Sequence, residues 1–138
     1  MLPEMMLLGF AAWTLLLLLT TVGTYRLSRV FRGQAGMGDF PADRVEGKPW
    51  YARAMRAHAN CVENLPVFAV LVYVAHASGV VHHAVDAVCV AILAARIVQS
   101  LVHVCFVQTD RVVSVRFTFY FVQFIGFCAL MALIVWCR

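Results

Sequence analysis

The chain has 138 residues, 63% of them hydrophobic and 13% charged, with a mean hydropathy of +0.84 and a formal net charge of +4. Water-soluble domains run near roughly 45–50% apolar and 25% charged, and a chain this short cannot bury such a surplus in one core. The composition argues against an aqueous globular domain, and low charge with abundant aromatics excludes disorder.

Met5 to Tyr25 forms a run of 21 uncharged residues, about 31 Å as a helix, which matches the hydrocarbon core. The flank before it carries Glu4 and no basic residue, and the run exceeds a signal-peptide apolar region, so it reads as a retained first span over 5–27. Residues 28–49, with Gly33, Gly36, Gly38, Pro41 and Gly47, read as a loop outside the membrane. Pro49-Trp50 suits a helix entry, giving a second span over 50–77 that stops before Ser78-Gly79. Pro66 is expected to kink it. A third span is predicted over 84–107 and a fourth over 112–136. With no internal repeat or second domain, residues 1–138 read as one all-α integral membrane domain, an up-down bundle of four transmembrane helices.

Basic residues bracket these spans. Arg26, Arg29, Arg32, Arg44, Lys48, Arg53 and Arg56 surround the long loop, and Arg111 and Arg116 the last connection. The other side holds only Arg138 and the N-terminal amine. The positive-inside rule then puts both termini on the non-cytoplasmic side and the long loop in the cytoplasm. No basic stripe with interleaved aromatics supports nucleic-acid binding.

Polar residues inside the spans are costly, so their pattern is informative. Arg56, Asn60 and Glu63 recur at helical spacing on the second span, with Arg53 and Asn64 alongside. Arg96, Gln99, Ser100 and His103 do so on the third, and Arg116, Tyr120 and Gln123 on the fourth. Three such faces satisfy one another only inside a bundle, at its cytoplasmic half. A structural ion pair of Arg96 with Glu63 is one expectation. The arginines nevertheless outnumber that acid and leave a cationic pocket suited to an anionic ligand, since guanidinium binds carboxylates bidentately. The histidines and the five cysteines show no metal-ligand or C-x-x-C spacing, so no metal is expected.

The string Arg56-Ala57-His58-Ala59-Asn60-Cys61-Val62-Glu63 resembles the R-A-x-x-N-x-x-E signature of the MAPEG family, the membrane-associated proteins of eicosanoid and glutathione metabolism. Gly23-Thr24-Tyr25-Arg26, Ala95-Arg96-Ile97 with Gln99 and His103, and Val115-Arg116-Phe117 resemble that family's other helices. The resemblance implies a homotrimer with glutathione as co-substrate, held between subunits near the cytoplasmic surface. It assigns glutathione contacts to Arg26, Arg56, His58, Asn60 and Glu63, completed by Gln99, His103 and Arg116. Arg116 is the implied catalytic residue, beside the sulfur. The implied activity is a glutathione transferase or peroxidase of detoxification, acting on lipophilic electrophiles or lipid hydroperoxides that arrive through the membrane lipid. Gln99 and His103 stand where eicosanoid-synthesising members tend to have tyrosines, Phe117 where they have serine, and Asn64 replaces an aromatic residue or threonine. These departures resemble a bacterial-type microsomal glutathione transferase, which would sit in the inner or plasma membrane. The alternative is a non-catalytic protein of this fold that binds lipid or protein, and a small transporter relying on Glu63 is a third reading.

Overall fold

The computed structural model describes residues 2–40 and 47–137; Pro41, Arg44 and Arg138, counted above among the loop and flanking residues, lie outside them. Four helices are long and apolar enough to cross a membrane: α1 (Leu2–Phe31), α2 (Pro49–Ala77), α3 (His83–Cys105) and α4 (Asp110–Trp136).

The helix ends differ from the predicted ones for local reasons. α1 continues past residue 27 to Phe31, and its last carbonyls are closed by Gly33 at φ 66° and by the Gln34 N–H donating to Arg29 O at 2.9 Å. Gly79, also at φ 66°, ends α2 in the same way. α4 starts two residues before the predicted Val112, because Thr109 accepts the Val112 N–H on its Oγ1 at 3.3 Å. α3 correspondingly stops at Cys105, and Phe106 is extended. Pro49 occupies the first turn of α2 as expected, while Pro66 lies inside the helix without ending it.

α1 holds one unpredicted feature. Leu18–Gly23 is π-helical between the α-helical stretches Leu2–Leu17 and Thr24–Phe31. Thr20 and Thr21 donate their hydroxyls to the carbonyls of Leu16 at 2.7 Å and Leu17 at 2.5 Å, and the Thr24 N–H reaches back to Leu19 O. Hydroxyls competing for carbonyls loosen the ladder by one residue. The extra residue turns the end of α1 so that Tyr25 stacks on Tyr51 at 4.2 Å and meets Trp50 edge-on at 5.4 Å.

The helices alternate in direction. Glu4 at the start of α1 bonds His76 at the end of α2 at 2.7 Å, while Tyr25 near the end of α1 lies on Tyr51 at the start of α2. α3 packs against each of the other three helices. One apolar core is shared by all four, with Phe10, Phe68, Ile92 and Leu130 among its fully buried members. Side chains such as Leu19, Val70, Phe124 and Ile125 point outward, the arrangement expected where the surroundings are lipid. At Gly126 an added Cβ would lie 2.7 Å from Ile92 Cγ1, so α3 and α4 meet there at a distance that only glycine permits.

Candidate functional site

On α2, Arg56 and Asn60 lie one turn apart on a single face, with Arg53 one turn earlier. The last turn of α3 carries His103, and the cap at Thr109 sets Arg116 in the second turn of α4. These side chains, with Gln108 from the connection, line a cavity of about 480 Å³ at the end of the bundle where the long loop emerges. Its described lining holds three arginines and no carboxylate.

A hydrogen-bond ladder runs from this cavity into the bundle. The Arg116 guanidinium meets His103 Nδ1 at 3.0 Å, and the Asn60 amide meets His103 Nε2 at 3.4 Å. One turn deeper, Gln99 donates to the backbone carbonyl of Arg116 at 3.0 Å. Gln123 then donates to Gln99 Oε1 at 3.0 Å. His103, Gln99 and Gln123 are all buried, so these bonds satisfy groups that neither lipid nor water reaches. From the three polar faces predicted by periodicity, Asn60, His103, Gln99, Arg116 and Gln123 converge, at the end where the long loop emerges, and Glu63 does not join them.

Below this ladder sits Arg96, only 1% exposed. Its guanidinium lies 5.7 Å from the Phe10 ring, and its Nε and Nη2 have no hydrogen-bond partner among the described residues. The expected pair with Glu63 is not formed as a contact among the described residues: Glu63 is exposed on α2, and its charge reaches Arg96 only at longer range. Helical periodicity had put both on polar faces without fixing that these faces meet. Ser100 instead donates to the Arg96 carbonyl at 2.8 Å, and its Oγ lies 3.5 Å from the buried Cys61 Sγ.

Four residues of the expected set stand outside this cavity: Gln99, one turn deeper in the ladder, and Arg26, His58 and Glu63. Arg26 donates from Nε to the Tyr51 hydroxyl at 2.7 Å and stacks near Phe40, beside the α1–α2 contact. His58 is half-buried and lies about 200° around α2 from Arg56 and from Asn60. Glu63 is one turn deeper than Asn60 and open to the outside. Conversely, the cavity includes Gln108, which the sequence places only in a connection, and Arg53, which belongs to the expected cationic pocket but not to the glutathione contacts that the resemblance implies. The signal for Arg53 was its position one turn before Arg56; nothing in the sequence marks Gln108.

A second, smaller cavity of about 210 Å³ shares Gln99's neighbourhood and is walled by His103, Arg116, Phe117 and Tyr120. Phe117, Tyr120 and Phe121 form an exposed aromatic cluster, with Phe117 and Phe121 edge-to-face at 5.0 Å. Arg116 thus forms a wall common to a cationic chamber and an aromatic groove on the outer surface.

A four-helix membrane bundle with a cationic chamber at one end defines the class. The chain matches the MAPEG family model over residues 5–136, and it belongs to the MAPEG family. That family includes glutathione transferases and related enzymes. No curated protein and no solved structure matches the chain.

Proposed function

We propose that this protein is a glutathione-dependent membrane transferase or peroxidase of the bacterial type, working as a homotrimer. The observation that carries this reading is the position of Arg116 between a cationic, acid-free chamber and an aromatic groove open to the outer surface. A tripeptide with two carboxylates and a thiol suits the first space, and a lipophilic electrophile arriving from the bilayer suits the second.

The residues fit glutathione chemically. Arg53 and Arg56 offer guanidinium forks to a carboxylate, and Arg96, buried below the chamber with Nε and Nη2 unpartnered among the described residues, could meet a second carboxylate that reaches one turn deeper. Glu63, which is exposed, and Arg26 and His58, which lie outside the chain's own chamber, would then serve a site completed by a second copy. Glu63 there would take the ammonium. Glutathione, when bound, supplies the sulfur nucleophile. Arg116 stabilises negative charge at that sulfur, favouring the form that attacks, since a free thiol ionises only near pH 8.5. The thiol proton leaves through the open mouth of the chamber to water. A sulfur–carbon bond then forms as the electrophile's leaving group, or its π pair, takes the electrons; with a hydroperoxide the sulfur takes the terminal oxygen as the O–O bond breaks and the alcohol leaves, and a second glutathione displaces water from the resulting sulfenic acid to give the disulfide.

All described Lys and Arg residues except Arg96 lie at the chamber end, while the opposite end holds Glu4, Asp86, His76 and His82. We therefore assign the chamber to the cytoplasmic side. The test is thiolate absorbance and turnover with a lipophilic electrophile in nanodiscs. Arg116→Ala is expected to lower turnover about a hundredfold, the scale of losing one preorganised charge at a reacting centre, with glutathione affinity changed far less. Loss of affinity with turnover per bound glutathione intact would refute the assignment.

A further inference from the structure

The proton inventory of the ladder assigns a role to His103 beyond contact with a ligand. Arginine has donors only and no acceptor, so the 3.0 Å contact from Arg116 requires a lone pair on His103 Nδ1. The ring's proton must then sit on Nε2, and the group at 3.4 Å must accept it. That group is the Asn60 side-chain amide, whose Nδ2 stands 3.4 Å from Nε2; a flip of the amide, which interchanges two atoms of nearly equal size, puts its oxygen there and meets the requirement. The Asn60 N–H₂ then turns away from His103. Only one arrangement satisfies all three side chains at once: Arg116 donates to Nδ1, and Nε2–H donates to Asn60.

We infer that His103 is a positioning residue, a neutral imidazole that holds the Arg116 guanidinium at the thiolate site and doubles as an acid-sensitive release. This rests on the reading of Arg116 as the residue beside the sulfur. Arg116 is held at two points, its backbone carbonyl by Gln99 and its guanidinium by His103. Gln99 cannot titrate; His103 can. When the ring takes a second proton both nitrogens become donors, the acceptor for Arg116 is gone, and two cations face each other. The charged groups around His103 are Arg116 on α4, Arg56 and Arg53 on α2, and Arg96 on α3 itself, with no carboxylate in the described chamber lining. Nothing facing the ring therefore holds the imidazolium in place, and protonation turns Arg116 aside. Activity that depends on Arg116 is lost as the pH falls through the ring's titration, in addition to the ordinary loss of thiolate.

Two arms test this in full-length protein in nanodiscs. The first uses no glutathione: ¹⁵N-histidine labelling, with the His103 signal identified by its absence in His103→Gln. The expected result is an unprotonated Nδ1 and a protonated Nε2 at neutral pH, with the preference lost in Arg116→Leu. A protonated Nδ1 in the wild type overturns the proposal whatever the protein does with glutathione. The second arm compares His103→Gln, whose carbonyl can still accept from Arg116, with His103→Leu, which cannot. Thiolate absorbance at saturating glutathione should fall about tenfold in the leucine variant, the scale of one hydrogen bond to a charged group, and be largely restored by glutamine. The affinity for S-methylglutathione, which forms no thiolate, should change to the same extent in both, since both lose the imidazole from the chamber wall. The acid limb of the wild-type profile should be steeper than that of His103→Gln. An unaltered thiolate signal in His103→Leu, or identical acid limbs, overturns the positioning role. If no protein binds S-methylglutathione while the first arm gives the expected tautomer, the glutathione reading fails and the ring's hold on Arg116 stands.

Discussion

Replacing Arg96 with methionine should raise the stability of the ligand-free protein and reduce what glutathione adds to it. The guanidinium is 1% exposed, and its Nε and Nη2 have no described hydrogen-bond partner. The ring of Phe10 at 5.7 Å gives back about 2 kcal/mol at most, the range for a desolvated cation–π contact. Desolvation of a buried cation costs several kcal/mol, and substituting buried charges with apolar side chains of similar volume commonly stabilises by about 1–4 kcal/mol. Arg96→Met is therefore expected to gain about 1–3 kcal/mol in unfolding by SDS titration in mixed micelles, followed by circular dichroism. If the protein binds glutathione as proposed, the ligand reverses the ranking. At a concentration of about 100 times its Kd, a ligand that binds only the folded state adds about 2.7 kcal/mol. Losing a charged hydrogen-bonding partner weakens binding at least about tenfold, which leaves the variant about 1.4 kcal/mol or less at the same concentration. Two outcomes would refute the reasoning. A ligand-free variant less stable than wild type would mean that Arg96 has a counter-ion from a second copy. An undiminished glutathione increment would mean that Arg96 holds no carboxylate.

Three further substitutions probe the scaffold. Gly126→Ala sets a methyl 2.7 Å from Cγ1 of the fully buried Ile92, and should cost about 1–2 kcal/mol, the overpacking penalty less alanine's helix preference; in an Ile92→Ala background the same change should stabilise, and additive effects in the titration would contradict the close approach. Tyr51→Phe removes the acceptor that Arg26 Nε holds at 2.7 Å and should cost about 1.5 kcal/mol, while an unchanged midpoint would show that Arg26 is not anchored there. His76→Phe breaks the bond to Glu4 at the far end, but those side chains are 69% and 38% exposed, so stability should move by no more than about 0.5 kcal/mol. A larger loss would identify that end as a structural latch.

The fold was legible because its signal is coarse. Uncharged runs long enough to cross a bilayer, separated by glycine, proline and basic residues, leave few alternatives, and all four helices lie where those runs predict. Their ends moved by a few residues wherever a side chain intervened, as Thr109 does for α4. The convergence of Asn60, His103, Gln99 and Arg116 was legible for a related reason: polar groups in a membrane bundle must find one another. Which polar group meets which was not. Periodicity gives the face a residue occupies but not the neighbour that face receives, so Glu63 and Arg96 were matched by charge although α2 turns Glu63 outward. The π-helical turn in α1 is a second case. It rotates everything after Gly23 by about one residue's angle, some 100°, and no simple reading of thirds and fourths anticipates where Arg26 then points.

The position of Arg26 also bears on how many chains make one site. Within a single chain, Arg26 is committed to Tyr51 and Phe40, while the chamber opens between α2 and α4 on another side of the bundle. The chamber by itself is rich in cations and holds no described carboxylate, so it can take the carboxylates of a ligand but offers nothing to an ammonium. The acid nearest in sequence to the chamber, Glu63, faces away from its own bundle. A charged side chain pointing out of a spanning helix is costly in lipid and tolerable against a second polar surface. A second copy docked over α2 would remove that cost and complete the charge complement of a zwitterionic tripeptide in one step. Assembly and ligand binding are then expected to be linked: Glu63→Gln should weaken binding of S-methylglutathione and trimer retention in detergent together, as read by titration and by mass of the protein–detergent complex. A variant that loses binding but keeps the trimer would confine Glu63 to the ligand, and one that keeps both would remove it from the site.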